Sequence, residues 1–212
     1  MKGAAKMNNG HRAEKWFREF LQEIAEDSGK LELPVSDGTK ISYTFDSIKH
    51  GGSSQHYKAD ATLHKCGSVV ANGRLSVKTT KGHRASFLNV ATIRNLQKME
   101  ERTNLAVSHC FSLFAKLAIT GKAVKLAEVA NKEDWRQLLE YFVFDGTPTR
   151  DCEQNMAETA NLLVDIPIND YSALLAVRRE DAVDYIWNHI LADLKLTKNG
   201  KEVGLTLRYE KA

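Results

Sequence analysis

Proline and cysteine are scarce: three of each among 212 residues. So little proline, with thirteen glycines, excludes a collagen-like or proline-rich chain. Cys66, Cys110 and Cys152 are odd in number, widely separated and form no Cys-x-x-Cys pair, which excludes a disulfide framework and a zinc ribbon. No apolar run is long enough to cross a bilayer, and Met1 to Arg12 has no apolar stretch of the kind a secretory signal needs, so the expected location is the cytoplasm, with no membrane partner. Gly121-Lys122 has no upstream glycine loop to cradle a phosphate, and no Gly-x-Ser-x-Gly or Cys-His pairing stands out. One further absence is local. From Ala61 to Met99 there is no aspartate or glutamate, while Lys65, Arg74, Lys78, Lys81, Arg84, Arg94 and Lys98 all fall there. An ordinary exposed face mixes charge signs; this tract would draw a polyanion, although the net charge of the whole chain is only +3.

A 42% hydrophobic and 27% charged composition is that of a soluble globular chain, and its length suits one domain over residues 1–212. Trp16, Phe17, Phe20, Leu21 and Ile24 recur at helical spacing and predict an amphipathic helix from Arg12 to Glu26, ended by Asp27-Ser28-Gly29. Thr39 to Phe45 alternates as a strand does. Tyr57 to His64 and Gly73 to Thr80 read as neighbouring antiparallel strands, with Cys66 to Asn72 as the turn-rich linker. Val90 to Arg102 has helical periodicity. Beyond it the pattern predicts a mostly helical remainder (Asn104 to Ala118, Lys132 to Phe144, Glu153 to Leu163, Glu180 to Leu194) and a last strand, Val203 to Tyr209. Between Leu163 and Val177 the reading stays open, because Val164, Ile166 and Ile168 alternate while Pro167 argues for an edge or a loop. The expected class is α/β (α+β), with a catalytic core over about 10–102 and the helical remainder with its C-terminal strand over 103–212.

The first of the paired strands carries Asp60 and the second ends in Ser76-Val77-Lys78-Thr79-Thr80. Phosphodiester hydrolysis needs a nucleophilic water, neutralisation of charge on phosphorus and help for the leaving oxygen, and Mg²⁺ held by carboxylate and carbonyl oxygens supplies these. Asp60 on a strand end suits a metal anchor. The next strand would bring Ser76 and the Val77 carbonyl to the same edge and aim the Lys78 ammonium at the attacking water.

Ala59-Asp60, Ser76-Val77-Lys78 and the helix opening Gly10-His11-Arg12-Ala13-Glu14 together resemble the PD-(D/E)xK superfamily of nucleases, type II restriction endonucleases in particular. Ala59 stands where that family has proline, and Ser76 where it has a second acid; the resemblance covers Gly10 to Thr80. It implies a restriction-endonuclease-like fold, a central mixed β-sheet flanked by helices, and Mg²⁺-dependent hydrolysis of double-stranded DNA leaving 5′-phosphates, usually by a homodimer. With Ser76 in the acid's place, Glu14 is the expected second metal-binding acid beside Asp60 and the Val77 carbonyl, with Asp46, Glu100 and Glu101 as competing donors. Lys58, Lys81, His83, Arg84 and Ser86 flank this edge and are the expected DNA contacts. Two alternatives share these residues: a structure-specific or repair nuclease of the Holliday-junction resolvase kind, and a DNA-binding module of the same fold with a dead site, which the serine at position 76 keeps open.

Overall fold

The computed structural model describes residues 9–50, 59–81, 84–85, 88–92, 97, 100–101, 112, 115, 119, 124–125, 131–145, 159–167, 170–190, 194–199 and 202–209. Helix α1 (Asn9–Asp27) buries Ala13, Phe17 and Leu21 completely, one residue per turn along a single stripe, with Trp16, Phe20 and Ile24 half-buried beside it. Trp16 stacks on Phe20 at 5.3 Å between ring centroids and leans on Tyr171 at 4.8 Å, which extends the stripe sideways. The helix ends where Gly29 takes a positive φ of 62° and its amide reaches back to the Ile24 carbonyl at 2.7 Å. A side chain there would put its Cβ 2.6 Å from the Phe45 carbonyl oxygen, so the turn admits only glycine without backbone movement.

Strands β1 (Lys30–Pro34) and β2 (Lys40–Thr44) form an antiparallel ribbon, and β1 turns Leu31 and Leu33 inward at every second residue. The main sheet contains β3 (Ser47–His50), β4 (Ala61–Lys65), β5 (Ser68–Lys81), β9 (Leu162–Pro167) and β10 (Leu175–Arg178), in the spatial order β10-β9-β5-β4-β3, with β6 (Arg84–Ala85) paired to the end of β5. It is mixed: β5 and β9 run parallel, and the other neighbours are antiparallel. A second, four-stranded antiparallel sheet joins β7 (Leu88–Thr92), β12 (Glu202–Tyr209), β11 (Leu194–Asn199) and β8 (Val124–Lys125) in that order.

Both faces of the main sheet are covered. On one, α1 and the β1–β2 ribbon close over Ala61, Leu63, Leu75, Val77, Leu162, Val164, Ile166 and Ala176. On the other, Leu163 and Val177 are fully buried as cross-strand partners. That side is approached by α2 (Lys132–Glu140), its π-helical continuation Tyr141–Asp145, and α3 (Arg179–Tyr185), which contribute buried Trp135, Leu139, Tyr141, Val143, Phe144, Ala182 and Val183. Arg179 fastens these helices together: its guanidinium reaches Glu140 at 2.7 Å and both carboxylate oxygens of Asp145 at 3.0 and 2.8 Å, over the Phe144 ring. Burial from both sides explains the continuous apolar run Leu162-Leu163-Val164, which alternation alone would not identify as a strand.

The helix over Arg12 to Glu26, the strands around Thr39, Asp60 and Lys78, the helix from Lys132 and the last strand all form, and the class is mixed α/β. Several expectations are corrected. Cys66 to Asn72 is not a linker: the turn is Cys66-Gly67 alone, both at positive φ as a two-residue hairpin of the primed type demands. The following strand begins at Ser68 and absorbs its extra residues in a bulge before Gly73, where a Cβ would meet the Val70 carbonyl at 2.9 Å. Leu88–Thr92 is a strand, so the helix expected from Val90 does not start there; of its later positions, 97, 100 and 101 are helical. Among the described residues of the remainder, strands replace part of the expected helix: β9 takes Leu162 and Leu163, β10 precedes α3, and Leu194 opens β11. Most of Asn104 to Ala118 and the residues of 153–158 lie outside the described residues.

Candidate functional site

At the start of β4 the ladder to β5 changes hands. Ala61 is the Cα partner of Leu75, and the Asp60 amide still donates to the Leu75 carbonyl at 2.8 Å. One step further, the Val77 amide donates not to a backbone carbonyl but to Oδ2 of Asp60, at 2.6 Å. The carboxylate thus replaces a strand that has ended, and it is held half-buried at the rim of the sheet by a charge-assisted bond. In an extended strand the N–H and C=O of one residue point to the same neighbour, so the Val77 carbonyl faces this same gap. The Lys78 ammonium lies on that carbonyl at 2.9 Å and on the Ser76 hydroxyl at 3.3 Å.

Strand alternation fixes the sides. Leu75 and Val77 point into the core under α1, so Ser76 and Lys78 point to the opposite face; Asp60, preceding the core-facing Ala61, falls on the same side as they do. Asp60, Ser76, Val77 and Lys78 are therefore brought together at one rim of the sheet. Ser76 is fully buried and Lys78 half-buried.

The other expected residues lie elsewhere or outside the description. Glu14 is half-buried on α1, with Oε2 3.4 Å from Nδ1 of His11, and its helix covers the face of the sheet away from Ser76 and Lys78. Asp46 stands at the far end of β4, where Oδ2 accepts the Cys66 amide at 2.6 Å and Oδ1 the Ser47 hydroxyl at 2.9 Å. The Cys66 amide, then the Ser47 hydroxyl, hold its carboxyl below the ordinary carboxylate value. Glu100 is half-buried and Glu101 exposed on a helical segment. Lys81 and Arg84 are Cα partners in the β5–β6 hairpin, three residues beyond Lys78 along the strand. Lys58, His83 and Ser86 lie outside the described residues. The basic tract as a whole divides: Lys65 is at the end of β4 opposite Asp60, while Lys78, Lys81 and Arg84 follow one another toward the site's end of β5.

One acid at this end was missed by the sequence reading. Asp165 on β9 is the Cα partner of Lys78 on the neighbouring parallel strand. It lies on the same face, since Val164 and Ile166 on either side belong to the core under α1. The residue is 5% exposed, and its carboxylate accepts the Tyr185 hydroxyl of α3 at 2.7 Å through Oδ2. Burial first, and then the charge of Asp165, push the Tyr185 phenol far above its usual value, so it remains a donor. The signal that would have found it is an aspartate inside an otherwise apolar run, Leu162-Leu163-Val164-Asp165-Ile166, where a charge is costly unless a partner requires it.

Chemically the cluster offers hard oxygen donors, the Asp60 carboxylate and the Val77 carbonyl, to a cation. That carbonyl already seats one cation, the Lys78 ammonium. Mg²⁺ commonly takes one or two protein carboxylates and fills its remaining positions with water and substrate oxygens, so the donor set fits it. Among the described residues no group of three or more His, Cys, Asp and Glu side chains gathers as a metal cage. Also among them, no helix is long and apolar enough to cross a membrane. No protein-family model, no curated protein and no solved structure matches this chain.

Proposed function

We infer that the chain is a metal-dependent nuclease of the PD-(D/E)xK kind, hydrolysing phosphodiester bonds of double-stranded DNA with Mg²⁺, and by that resemblance a site-specific, type II enzyme acting as a homodimer. The observation that carries the reading is the convergence of Asp60, the Val77 carbonyl and Lys78 at one rim of the sheet, with Asp60 bonded to the Val77 amide at 2.6 Å and Lys78 on the Val77 carbonyl at 2.9 Å. A mixed sheet covered by helices supports the reading, since it is compatible with such a fold. Bound Mg²⁺ would lower the pKa of a coordinated water and neutralise charge on the phosphate.

The residues of the chain act as follows. Asp60 holds the metal with the charge left by its bond to Val77, and being fixed by that bond it loses little freedom when it does so. Val77 offers its carbonyl. Lys78 places an ammonium beside the scissile phosphate, where it stabilises developing negative charge and orients the attacking water. Ser76, buried in the position of the family's second acid, holds the Lys78 amine through its hydroxyl. Lys81 and Arg84, on the hairpin that prolongs β5, His83 and Ser86 near it in sequence, and Lys58, two residues before Asp60, are the proposed DNA contacts. The resemblance offers Glu14 as a second metal-binding acid, but α1 covers the face of the sheet opposite Ser76 and Lys78, so the proposed metal site is built on Asp60 and the Val77 carbonyl.

The deciding experiment is a supercoiled plasmid incubated with Mg²⁺, with Mn²⁺ and with EDTA. Nicking or linearisation that requires the metal supports a nuclease, and discrete fragments from linear DNA distinguish a site-specific enzyme from a structure-specific one. No cleavage under any divalent ion, with DNA still bound, would leave the binding module.

A further inference from the structure

We propose that the Lys78 ammonium competes with a divalent cation for the Val77 carbonyl, so that the amine gives this oxygen up when the cation binds and keeps the Ser76 hydroxyl as its partner. The inference rests on the nuclease reading above and adds to that site an exchange between the protein's own cation and the metal.

Three observations carry it. The first is position: Nζ of Lys78 lies 2.9 Å from the Val77 carbonyl, which faces the gap where β4 has ended, and the amide of that same residue is bonded to Asp60. The oxygen that a hard cation at Asp60 would take is thus already engaged, and by a cation. The second is how the ammonium is held. Its partners are two neutral oxygens, the Val77 carbonyl and the Ser76 hydroxyl at 3.3 Å, and among the described residues no ion pair joins it to a carboxylate. Neutral acceptors hold an ammonium less strongly than a carboxylate does, so this one can be displaced. The third is the asymmetry of Asp60. Oδ2 accepts the Val77 amide at 2.6 Å, whereas Oδ1 accepts no hydrogen bond among the described residues, although the residue is half-buried. A carboxylate oxygen left unengaged beside an engaged carbonyl is a place for a hard cation.

One carbonyl does not seat both. An ammonium at hydrogen-bond distance and a divalent ion at coordination distance from the same oxygen would lie within about 5 Å of each other, where their charges repel. The amine that leaves the carbonyl retains the Ser76 hydroxyl, which is buried on the same face of β5, so it stays at the rim. It also regains a donor, since an ammonium carries three and the carbonyl no longer takes one. That donor is then free for a phosphate oxygen or a water, and it becomes free only when the metal is in place. The serine at position 76 suits such an exchange: an acid there would bind the ammonium as an ion pair, whereas a hydroxyl holds it loosely enough to move.

The test is Ca²⁺ binding by the full chain without DNA, measured calorimetrically for wild type, Lys78→Met, Lys78→Gln, Asp60→Asn and Arg74→Met, with circular dichroism and thermal melting to check the fold. Lys78→Met and Lys78→Gln should bind about tenfold more tightly than wild type, because no internal cation then holds the carbonyl. Asp60→Asn should weaken binding at least about tenfold, alone and combined with Lys78→Met, which ties the binding to this site. Arg74 lies on the same face of β5 four residues earlier, and Arg74→Met should stay within about twofold of wild type, which separates exchange at one oxygen from general repulsion. A second reading needs no stable Lys78 variant beyond the assignment. The ¹⁵N-lysine ammonium signal that disappears in Lys78→Met should shift when Ca²⁺ is added to wild type, and should not shift in Asp60→Asn. Asp60-dependent binding of unchanged affinity in the Lys78 variants, an ammonium signal that Ca²⁺ does not move, or equal tightening in Arg74→Met overturns the exchange and leaves the nuclease reading standing. Ca²⁺ binding by none of these proteins, or binding that does not depend on Asp60, overturns the metal site itself and with it the reading on which the exchange rests.

Discussion

Asp60 has a structural task visible in the geometry and a catalytic one proposed for it, and two substitutions separate them. Its Oδ2 accepts the Val77 amide at 2.6 Å at the point where β4 stops, so Asp60→Ala leaves that amide without its acceptor. A hydrogen bond to a charged group contributes about 1.5–3 kcal/mol, and because Asp60 is half-buried the lower figure applies. For a chain of this size that lowers Tm by roughly 3–6 °C. Asp60→Asn keeps an oxygen for the Val77 amide and removes only the charge, so it should cost less than the alanine. As the metal anchor, however, Asp60 is needed for its charge. Both variants should then lose cleavage by about 10³-fold or more, equivalent to roughly 4 kcal/mol of transition-state stabilisation, while DNA binding in Ca²⁺ survives. Plasmid nicking and thermal melting on the same preparations give both readouts. If Asp60→Asn cleaves at the wild-type rate and only Asp60→Ala is impaired, in proportion to its lost stability, Asp60 is a strand cap and the metal site is elsewhere.

Other perturbations test neighbouring parts of the argument. Because the sheet lies between α1 and the Ser76–Lys78 face, Glu14→Ala should cleave near the wild-type rate, as should Asp46→Ala; a loss like that of Asp60→Ala would place the helix acid in the site. Phe17 is fully buried under the sheet, and Phe17→Ala should cost about 3–5 kcal/mol in chemical denaturation, whereas a cost under 1 kcal/mol would mean that α1 does not cover this core. Tyr43, whose hydroxyl donates to the Asn72 carbonyl at 3.0 Å, has its phenol pushed up to about 12 by burial. A group raised on folding contributes stability that is complete below its unfolded value near 10 and is lost as pH climbs through 12, here about 2–3 kcal/mol. Melting temperature followed from pH 9 to 12 should therefore fall less steeply in Tyr43→Phe than in the wild type; parallel curves would contradict the assigned burial.

What was legible in the sequence was what local patterns encode. The spacing of Trp16, Phe17, Phe20, Leu21 and Ile24 announces α1, and the polar-apolar alternation of Thr39 to Phe45 announces β2, because one face of each is buried and the other wet. Asp60 and Lys78 were legible as a pair because a hairpin joins their strands, so sequence spacing almost determines their register. Cys66-Gly67 was passed over for the more conspicuous Gly67 to Gly73 cluster, since positive φ at a cysteine gives no compositional sign. The parallel strand β9 stayed open for another reason: Val164 and Ile166 alternate, but burial on both faces fills the positions between them with Leu163 and Asp165, and Pro167 at the end argues for an edge or a loop. With β9 unseen, Asp165 had no register, and the search for a second acid turned to a helix.

The position of the cluster follows from strand direction. β5 and β9 are parallel, so Lys78 and Asp165 both approach the carboxyl ends of their strands; β4 runs the other way, so its first residues, with Asp60, lie at that same end. In open α/β sheets the crevice beyond the carboxyl ends of parallel strands is where ligands are bound, because the connections leave backbone groups there without ladder partners. Here the Val77 amide and carbonyl are such groups, one bonded to Asp60 and the other to Lys78. The chain that leaves β5 turns back at once in the β5–β6 hairpin, where Lys81 is the Cα partner of Arg84, so the backbone at this rim is paired on the β6 side while the β4 side is closed by the Asp60 carboxylate.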